Sequence, residues 1–144
     1  MRQVFNTDIH GKVMLQGYDP VTFHTISKAV KGHPAISIEH EGQRYLFASY
    51  DNRESFKKGA EKYVPAYGGY CAYGLSHGVL FPVEIDTWEI VDDRLMLQFS
   101  QDVKERFHGA RSENIRKADE NWLEIVAESG KHEDAMVVVS AGDG

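Results

Sequence analysis

Tyrosine, glycine and the only cysteine of the chain are concentrated between positions 67 and 78. This segment reads YGGYCAYGLSHG, with Cys71 near its centre and His77 six residues further on. Glycines allow a backbone to come close to a partner, and tyrosines offer flat faces with hydroxyl tips. We interpret the segment, together with an aromatic residue nearer the N-terminus, as a candidate small-ligand site. Its predicted residues are Tyr18, Tyr67, Tyr70, Cys71 and Tyr73.

The same segment also suggests a metal site. Cys71 and His77 can approach each other on a turn or short helix, and His24 can join them from the N-terminal part of the chain. A thiolate with imidazoles suits copper or zinc. The spacing matches no known ligand signature, however, and free cysteine is among the most buried residue types. The competing interpretation makes Cys71 a small buried hydrophobe and His77 a solvated turn residue.

A third interpretation makes Cys71 a nucleophile or a redox sensor. Covalent catalysis needs a base within hydrogen-bond reach of the thiol and a group that orients this base. His77, His24 and Asp19 supply such groups on paper, but no protease or transferase signature surrounds Cys71. A redox cycle would also need a second thiol from outside the chain. No catalytic residue is therefore assigned.

Net charge and the lengths of apolar segments argue against two kinds of partner, nucleic acid and membrane. The 144 residues carry a net charge of −6, and no basic patch is present that could release counterions from phosphates. Nucleic acid is therefore not an expected partner, and no apolar stretch has the length of a membrane span. The first residues lack a signal-peptide core, so we expect a cytoplasmic protein as given, or a periplasmic one if a leader was removed. Oligomeric state is left open.

Two β-hairpins are predicted from turn chemistry and alternating hydrophobicity. Segments 35–40 and 43–48 flank Glu41 and Gly42, which suit a two-residue turn. A second pair of strands flanks Asp92 and Asp93, and each hairpin is expected to have one apolar face. The predicted pairs are Ile38 with Tyr45, Ile36 with Phe47, Glu39 with Arg44, Ile90 with Leu95, Trp88 with Leu97, Val91 with Arg94 and Glu89 with Met96.

Three helices follow from apolar spacing and capping signals. The first begins at Ser49 or Asp51 and ends before Pro65, and the second begins after Ser100. The third spans about 111–129, with Gly130 past its end. Its apolar stripe is predicted to be Ile115, Ala118, Trp122 and Val126.

These elements predict a single α+β domain in which two antiparallel hairpins pack against about three helices. No internal repeat is apparent. We place the domain at residues 1–130 and a C-terminal tail at 131–144. This tail includes the apolar run from Met136 to Val139, for which disorder is preferred over an extra strand or a partner contact.

Several motifs, in order, resemble the YHS domain. They are GYDPV at 17–21, HEGQRYLF at 40–47, YGGYCA at 67–72 and KADENW at 117–122. The resemblance covers about residues 13–126 and is strongest to small stand-alone bacterial members of that family. It implies a small binding module.

The chain departs from the metal-binding branch of that family at three positions. Where that branch has cysteines, this chain has Thr22, Ala48 and Asn52. A thiolate site needs ionised sulfur at three or four converging positions, which these residues do not supply. The resemblance therefore implies a domain without the family's metal site.

Taken together, the sequence predicts a non-enzymatic YHS-like domain that holds a small molecule or an atypical copper or zinc ion near Cys71. Two alternatives stay open. One is an enzyme or redox sensor that depends on Cys71, and the other is a protein-interaction module whose exposed tyrosines or C-terminal apolar run contact another chain.

Overall fold

The computed structural model describes residues 4–7 and 12–135. Within them the fold is mixed α and β, as predicted, with six helices and two antiparallel two-stranded sheets. Three of the helices are longer than five residues. In chain order the elements are α1 (Thr22–Thr25), β1 (His33–His40), β2 (Gln43–Phe47), α2 (Tyr50–Lys58), α3 (Ala60–Tyr63), α4 (Ala72–Ser76), β3 (Glu84–Val91), β4 (Arg94–Gln98), α5 (Gln101–Gly109) and α6 (Arg111–Ala135).

The two hairpins belong to an internal structural repeat, although no repeat was apparent in the sequence. Each half begins with a 3-10 turn, at Leu15–Gly17 and at Ala66–Gly69, and continues through a short helix, a hairpin and a longer helix. The strands and the longer helix of the second half start and end 51 positions after those of the first. The halves share few residue types outside the start of the longer helix, where Ser49 and Phe56 match Ser100 and Phe107.

Both hairpins turn through left-handed backbone conformations. Glu41 and Gly42 have φ angles of 51° and 79°, and Asp92 and Asp93 have φ angles of 51° and 65°. Two successive residues with positive φ suit the right-handed twist of adjoining strands. This agrees with the predicted two-residue turns.

The predicted register is confirmed near the turns and wrong away from one of them. Ile38 pairs with Tyr45 and Glu89 with Met96, as expected. Ile36 does not pair with Phe47, because the first ladder is interrupted between His33 and Ser37. The second ladder is interrupted between Glu84 and Glu89, and the described pairs do not include Trp88 with Leu97. The other confirmed pairs are Glu39 with Arg44, Ile90 with Leu95 and Val91 with Arg94.

The hairpin of β3 and β4 is buried on both faces, and the expectation of a single apolar face is wrong for it. Leu95 and Leu97 contribute to one hydrophobic cluster, which also contains Phe23, Phe47 and Phe56 from the first half. Val91 and Met96, on the opposite face, contribute to a second cluster. The second cluster also contains Tyr67, Ala72, Leu75, Phe107, Ala118 and Ile125.

The predicted first helix is divided in two. Ser49 caps α2 by accepting a hydrogen bond from the backbone N–H of Asn52, at 3.1 Å. The helix ends at Lys58 because Gly59 has an extended φ of −160°. The chain then resumes as α3. After the break, α3 contacts α2 and β4.

The last helix is longer than predicted. It runs through Gly130 to Ala135, so five residues of the predicted tail are helical. Glycine within a helix costs about 1 kcal/mol and does not by itself end it. Ile125 is buried and Val126 is 42% exposed, so the apolar stripe ends one residue earlier than predicted. Residues 136–144, including the apolar run, lie outside the described residues.

Helix α6 is held on the second half by the segment 117–122. Ala118 is fully buried, and the Asn121 side chain donates a 2.7 Å hydrogen bond to the carbonyl of Leu75, at the end of α4. The ring of Trp122 meets that of Tyr67 edge-on at 6.3 Å. This arrangement closes the second cluster. Of the helices within the described ranges, none combines the length and apolar composition needed to cross a bilayer.

Equivalent phenylalanines in the two halves test the two clusters. Phe56 and Phe107 are each at most 1% exposed, one in each cluster. We expect Phe56→Ala and Phe107→Ala each to lower the free energy of unfolding by about 3–5 kcal/mol, because each leaves a cavity in a closed core. Urea denaturation followed by circular dichroism measures this. Leu123→Ala, at a side chain 71% exposed, is the control and should change it by less than about 0.5 kcal/mol. A loss below about 1 kcal/mol in either phenylalanine variant would contradict the buried clusters.

Candidate functional site

In the first half, a buried carboxylate joins the loop before α1 to the corner between β2 and α2. Asp19 is fully buried, and its Oδ1 accepts a 2.7 Å hydrogen bond from the N–H of Val21. Its Oδ2 accepts from the N–H of Ala48 at 2.7 Å and from the amide of Asn52 at 2.9 Å. The Thr22 hydroxyl donates to the carbonyl of Lys28 at 2.7 Å. Thr22, Ala48 and Asn52, where the sequence resemblance predicts that the family's cysteines are lost, take part in these hydrogen bonds.

Cys71 occupies the equivalent place in the second half. Its backbone N–H donates to the carbonyl of Phe81 at 3.0 Å, as that of Asp19 donates to Val30 at 2.8 Å. Its sulfur accepts hydrogen bonds from the N–H groups of Phe99 at 3.2 Å and Gly74 at 3.4 Å. The donor at Phe99 matches that at Ala48, 51 positions earlier, whereas the nearer donor lies two residues after Asp19 but three after Cys71.

The thiol also donates a hydrogen bond. Sγ lies 3.4 Å from the side-chain oxygen of Gln98, which accepts in addition from the N–H of Tyr73 at 3.0 Å. Burial raises the pKa of Cys71, and the backbone donors at Gly74, Phe99 and Tyr73 offset only part of this rise. At neutral pH the residue is therefore a protonated thiol, and it is only 1% exposed. A buried thiol of this kind is a poor nucleophile.

A cavity of about 250 Å³ lies beside Cys71. Phe81 and Phe99 stand at its rim, 46% and 48% exposed, with their ring centroids 5.9 Å apart. Gly74 lies on its wall, and a side chain added there would approach the Val79 carbonyl to 2.9 Å. The lining is aromatic and aliphatic apart from the thiol and one imidazole. The residues are Cys71, Tyr73, Gly74, His77, Phe81, Phe99 and Val103.

The predicted ligand-binding tyrosines do not form one site. Tyr73 lines the cavity beside Cys71, whereas Tyr67 lines a larger cavity that shares no lining residue with it. Tyr18 faces the Lys31 ammonium at 5.0 Å, and the Tyr70 hydroxyl donates to the carbonyl of Phe5 at 3.3 Å. Neither of these two lines either cavity. Adjacent residues of a tight turn point in different directions, which separates side chains that are close in sequence.

The predicted copper or zinc ligands are not brought together. His77 is exposed, and its ring meets Tyr73 edge-on at 4.8 Å. His24 lies in the first half, with its ring edge-on to Tyr63 at 5.5 Å. Burial, followed by the charge of Lys62, lowers the pKa of His24. Among the described residues, Cys71, His77 and His24 do not form a three-ligand cluster.

The larger cavity, of about 740 Å³, was not anticipated from the sequence. Its wall carries Tyr67, whose hydroxyl donates to Asp119 at 2.8 Å, and Arg94, whose guanidinium donates to both oxygens of that carboxylate. His40 and Glu41 also line it. These residues are distant in sequence. Tyr67 was predicted to bind a ligand, and His40, Glu41 and Asp119 lie in the YHS-like motifs, but no sequence pattern predicted that they meet.

Comparison with protein-family models, with curated proteins and with solved structures finds no match to this chain. The resemblance to the YHS domain therefore rests on the sequence motifs alone and stays a prediction.

The chemistry of the thiol can be tested directly. We expect iodoacetamide to alkylate Cys71 at least about tenfold more slowly in the native protein than in guanidinium chloride. Burial keeps the reagent from the sulfur and disfavours the reactive thiolate. The pH midpoint of the native rate should lie above that of a free cysteine, because the folded state raises this pKa. Rates followed by mass spectrometry between pH 7 and 10 measure both effects. A fast native reaction with a midpoint below that of free cysteine would instead favour a nucleophilic or redox role.

Proposed function

We propose that this protein is a non-enzymatic, YHS-like binding domain that holds a small apolar molecule in the cavity beside Cys71. The observation that carries the proposal is the cavity itself, which lies over the buried Cys71 thiol and has an apolar lining. An apolar cavity of about 150 Å³ is enough to bind benzene, since such a lining holds water poorly. A ligand about the size of one aromatic ring therefore fits the volume.

The difference between the two halves supports this assignment. In the first half the Asn52 side chain reaches the central Asp19 carboxylate and bonds to it. At the equivalent position of α5 stands Val103, which cannot bond to Cys71 and instead lines the cavity. The second half thus has open apolar space where the first has a polar side chain.

The resemblance to the YHS domain points to the same place. The positions of the family's cysteines are Thr22, Ala48 and Asn52 in the first half. At the 51-residue spacing, Ala48 and Asn52 correspond to Phe99 and Val103, and Gly74 follows Cys71 by three residues as Thr22 follows Asp19. Gly74, Phe99 and Val103 all line the cavity. The positions that hold a metal in the metal-binding YHS branch thus correspond to cavity-lining residues in the second half, and none of these is a metal ligand.

The chemistry of the lining favours an uncharged organic ligand over a metal ion. A protonated, buried thiol with a single exposed imidazole nearby is a weak ligand set for copper or zinc. Rings of Tyr73, Phe81 and Phe99 offer edges and faces to an aromatic or aliphatic guest. The His77 imidazole supplies one polar contact at the edge.

A protein-interaction role is the second candidate, and exposed side chains around the cavity favour it. Val79, Phe81 and Phe99 are each at least 40% exposed. An apolar side chain of a partner would enter the same space as a small molecule. Sedimentation velocity over a hundredfold range of protein concentration tests one such partner, a second copy of the chain. A concentration-dependent dimer that Phe99→Ser abolishes would support the interaction role over the small-molecule role.

Filling the cavity tests ligand binding. We expect 4-fluorotoluene to bind the protein, seen as broadening of its ¹⁹F NMR line, and Val103→Phe to weaken this binding at least about tenfold by occupying the space. Val126→Phe is the matched control, because Val126 lines only the larger of the two cavities and should leave binding unchanged. Equal binding by the wild type and Val103→Phe, or a loss in the control alone, would contradict the proposal.

A further inference from the structure

A histidine and two glutamates meet where the first hairpin contacts α3. His40 is the last residue of β1, Glu41 opens the turn, and Glu61 lies in the first turn of α3. One ligand atom of each lies within 4.8 Å of those of the other two. Among the residues that the structure describes, this is the group of histidine, cysteine and carboxylate side chains compact enough to hold a metal ion.

The imidazole is held in place and has an unused nitrogen. The ring of His40 meets Phe56 edge-on at 5.6 Å and Tyr45 at 6.3 Å, so aromatic packing fixes its orientation. Its Nε2 is buried and has no hydrogen-bond partner in the described part of the chain. It lies 3.3 Å from Glu41 Oε2, close enough for an ion pair but not aligned for a hydrogen bond.

This spacing matches that between two ligands of one metal ion. Zinc binds histidine nitrogen and carboxylate oxygen at about 2.0–2.2 Å, so two ligands of a tetrahedral ion stand about 3.3–3.5 Å apart. The His40 to Glu41 distance is already in that range. Glu61 is exposed, and one of its carboxylate oxygens lies within 4.8 Å of the ligand atoms of both His40 and Glu41.

Both carboxylates lie beside the same imidazole. Ligand oxygens of Glu41 and Glu61 lie within 4.8 Å of each other and of a ring nitrogen of His40, so two negative charges face one point. A cation placed between them and the free imidazole nitrogen relieves the repulsion between the carboxylates and gives that nitrogen a partner.

We propose that His40, Glu41 and Glu61 bind a divalent transition-metal ion of the zinc type. One imidazole and two carboxylates satisfy three positions and leave coordination open, as in sites that exchange ligands. His40 and Glu41 both line the larger cavity, so an open position there faces space of about 740 Å³. A ligand that reaches the ion from this cavity would carry an oxygen donor such as a carboxylate. The site is separate from the cavity beside Cys71, and neither proposal depends on the other.

Calorimetric titration of the full chain, without a histidine tag, with ZnCl₂ at pH 7.5 tests the site. We expect one Zn²⁺ per chain, and Glu61→Gln and Glu41→Gln each to weaken binding at least about tenfold, because an amide oxygen is a poor substitute for a carboxylate ligand. Glu89→Gln is the matched control, since Glu89 contacts His108 at 2.8 Å on the surface without a second carboxylate. This control should bind zinc as the wild type does.

Cobalt distinguishes this site from one at the cysteine. Co²⁺ in place of Zn²⁺ should give the visible bands of a nitrogen and oxygen site and no sulfur-to-metal charge-transfer band, because Cys71 is not a ligand. Circular dichroism of each metal-free variant should match the wild type, since both glutamates are exposed. Absence of zinc binding, binding unaffected by both glutamate variants, or a charge-transfer band lost in Cys71→Ser would overturn the proposal.

Discussion

Burial of the β3–β4 hairpin on both faces is the constraint on which the rest of the structure depends. Leu95 and Leu97 face the first cluster, and Val91 and Met96 face the second. A strand pair with apolar side chains on both sides must be covered twice. The first half of the chain covers one side, and helices α4, α5 and α6 cover the other. Each half therefore completes the core of the other, and the described residues form one domain although the backbone repeats.

A buried hydrogen-bond acceptor recurs where each hairpin continues into its longer helix. Asp19 receives three donors at 2.7–2.9 Å, which offset the cost of burying a charge. The Cys71 sulfur accepts hydrogen bonds from two backbone N–H groups, and its thiol donates one to the side-chain oxygen of Gln98. A neutral sulfur costs less to bury than a carboxylate and needs fewer donors. The same corner is thus held with different chemistry, and the thiol lies next to an open apolar cavity.

Much of the fold was predictable because residues that are close in sequence determine its turns, caps and strand pattern. The turns at Glu41 and Asp92, the caps at Ser49 and Ser100 and the alternation near each turn are short-range signals. The predicted strand register is wrong at Ile36, where the first ladder is interrupted. No residue pattern in the sequence indicates such an irregularity in a strand. The repeat itself had a signal, the pattern Ser-x-Asp-x-x-Glu-x-Phe that begins at both Ser49 and Ser100.

The candidate sites were harder to foresee than the fold. Nearness in sequence suggested that the tyrosines converge, yet successive residues of a tight turn diverge in space. The meeting of Glu41 and Glu61 depends on the break at Gly59, which a helical pattern does not reveal. A cavity is the space that packed side chains leave unfilled, and amino-acid composition does not predict where that space lies.

The repeat also affects how the chain can change over evolutionary time. Asp19 and Cys71 lie at matching points of two similar backbones, each satisfied within its own half. Substitutions around one point therefore leave the hydrogen bonds of the other intact. One copy can preserve the architecture while its counterpart acquires a new binding specificity, which is the freedom that a duplicated unit gives to a small protein.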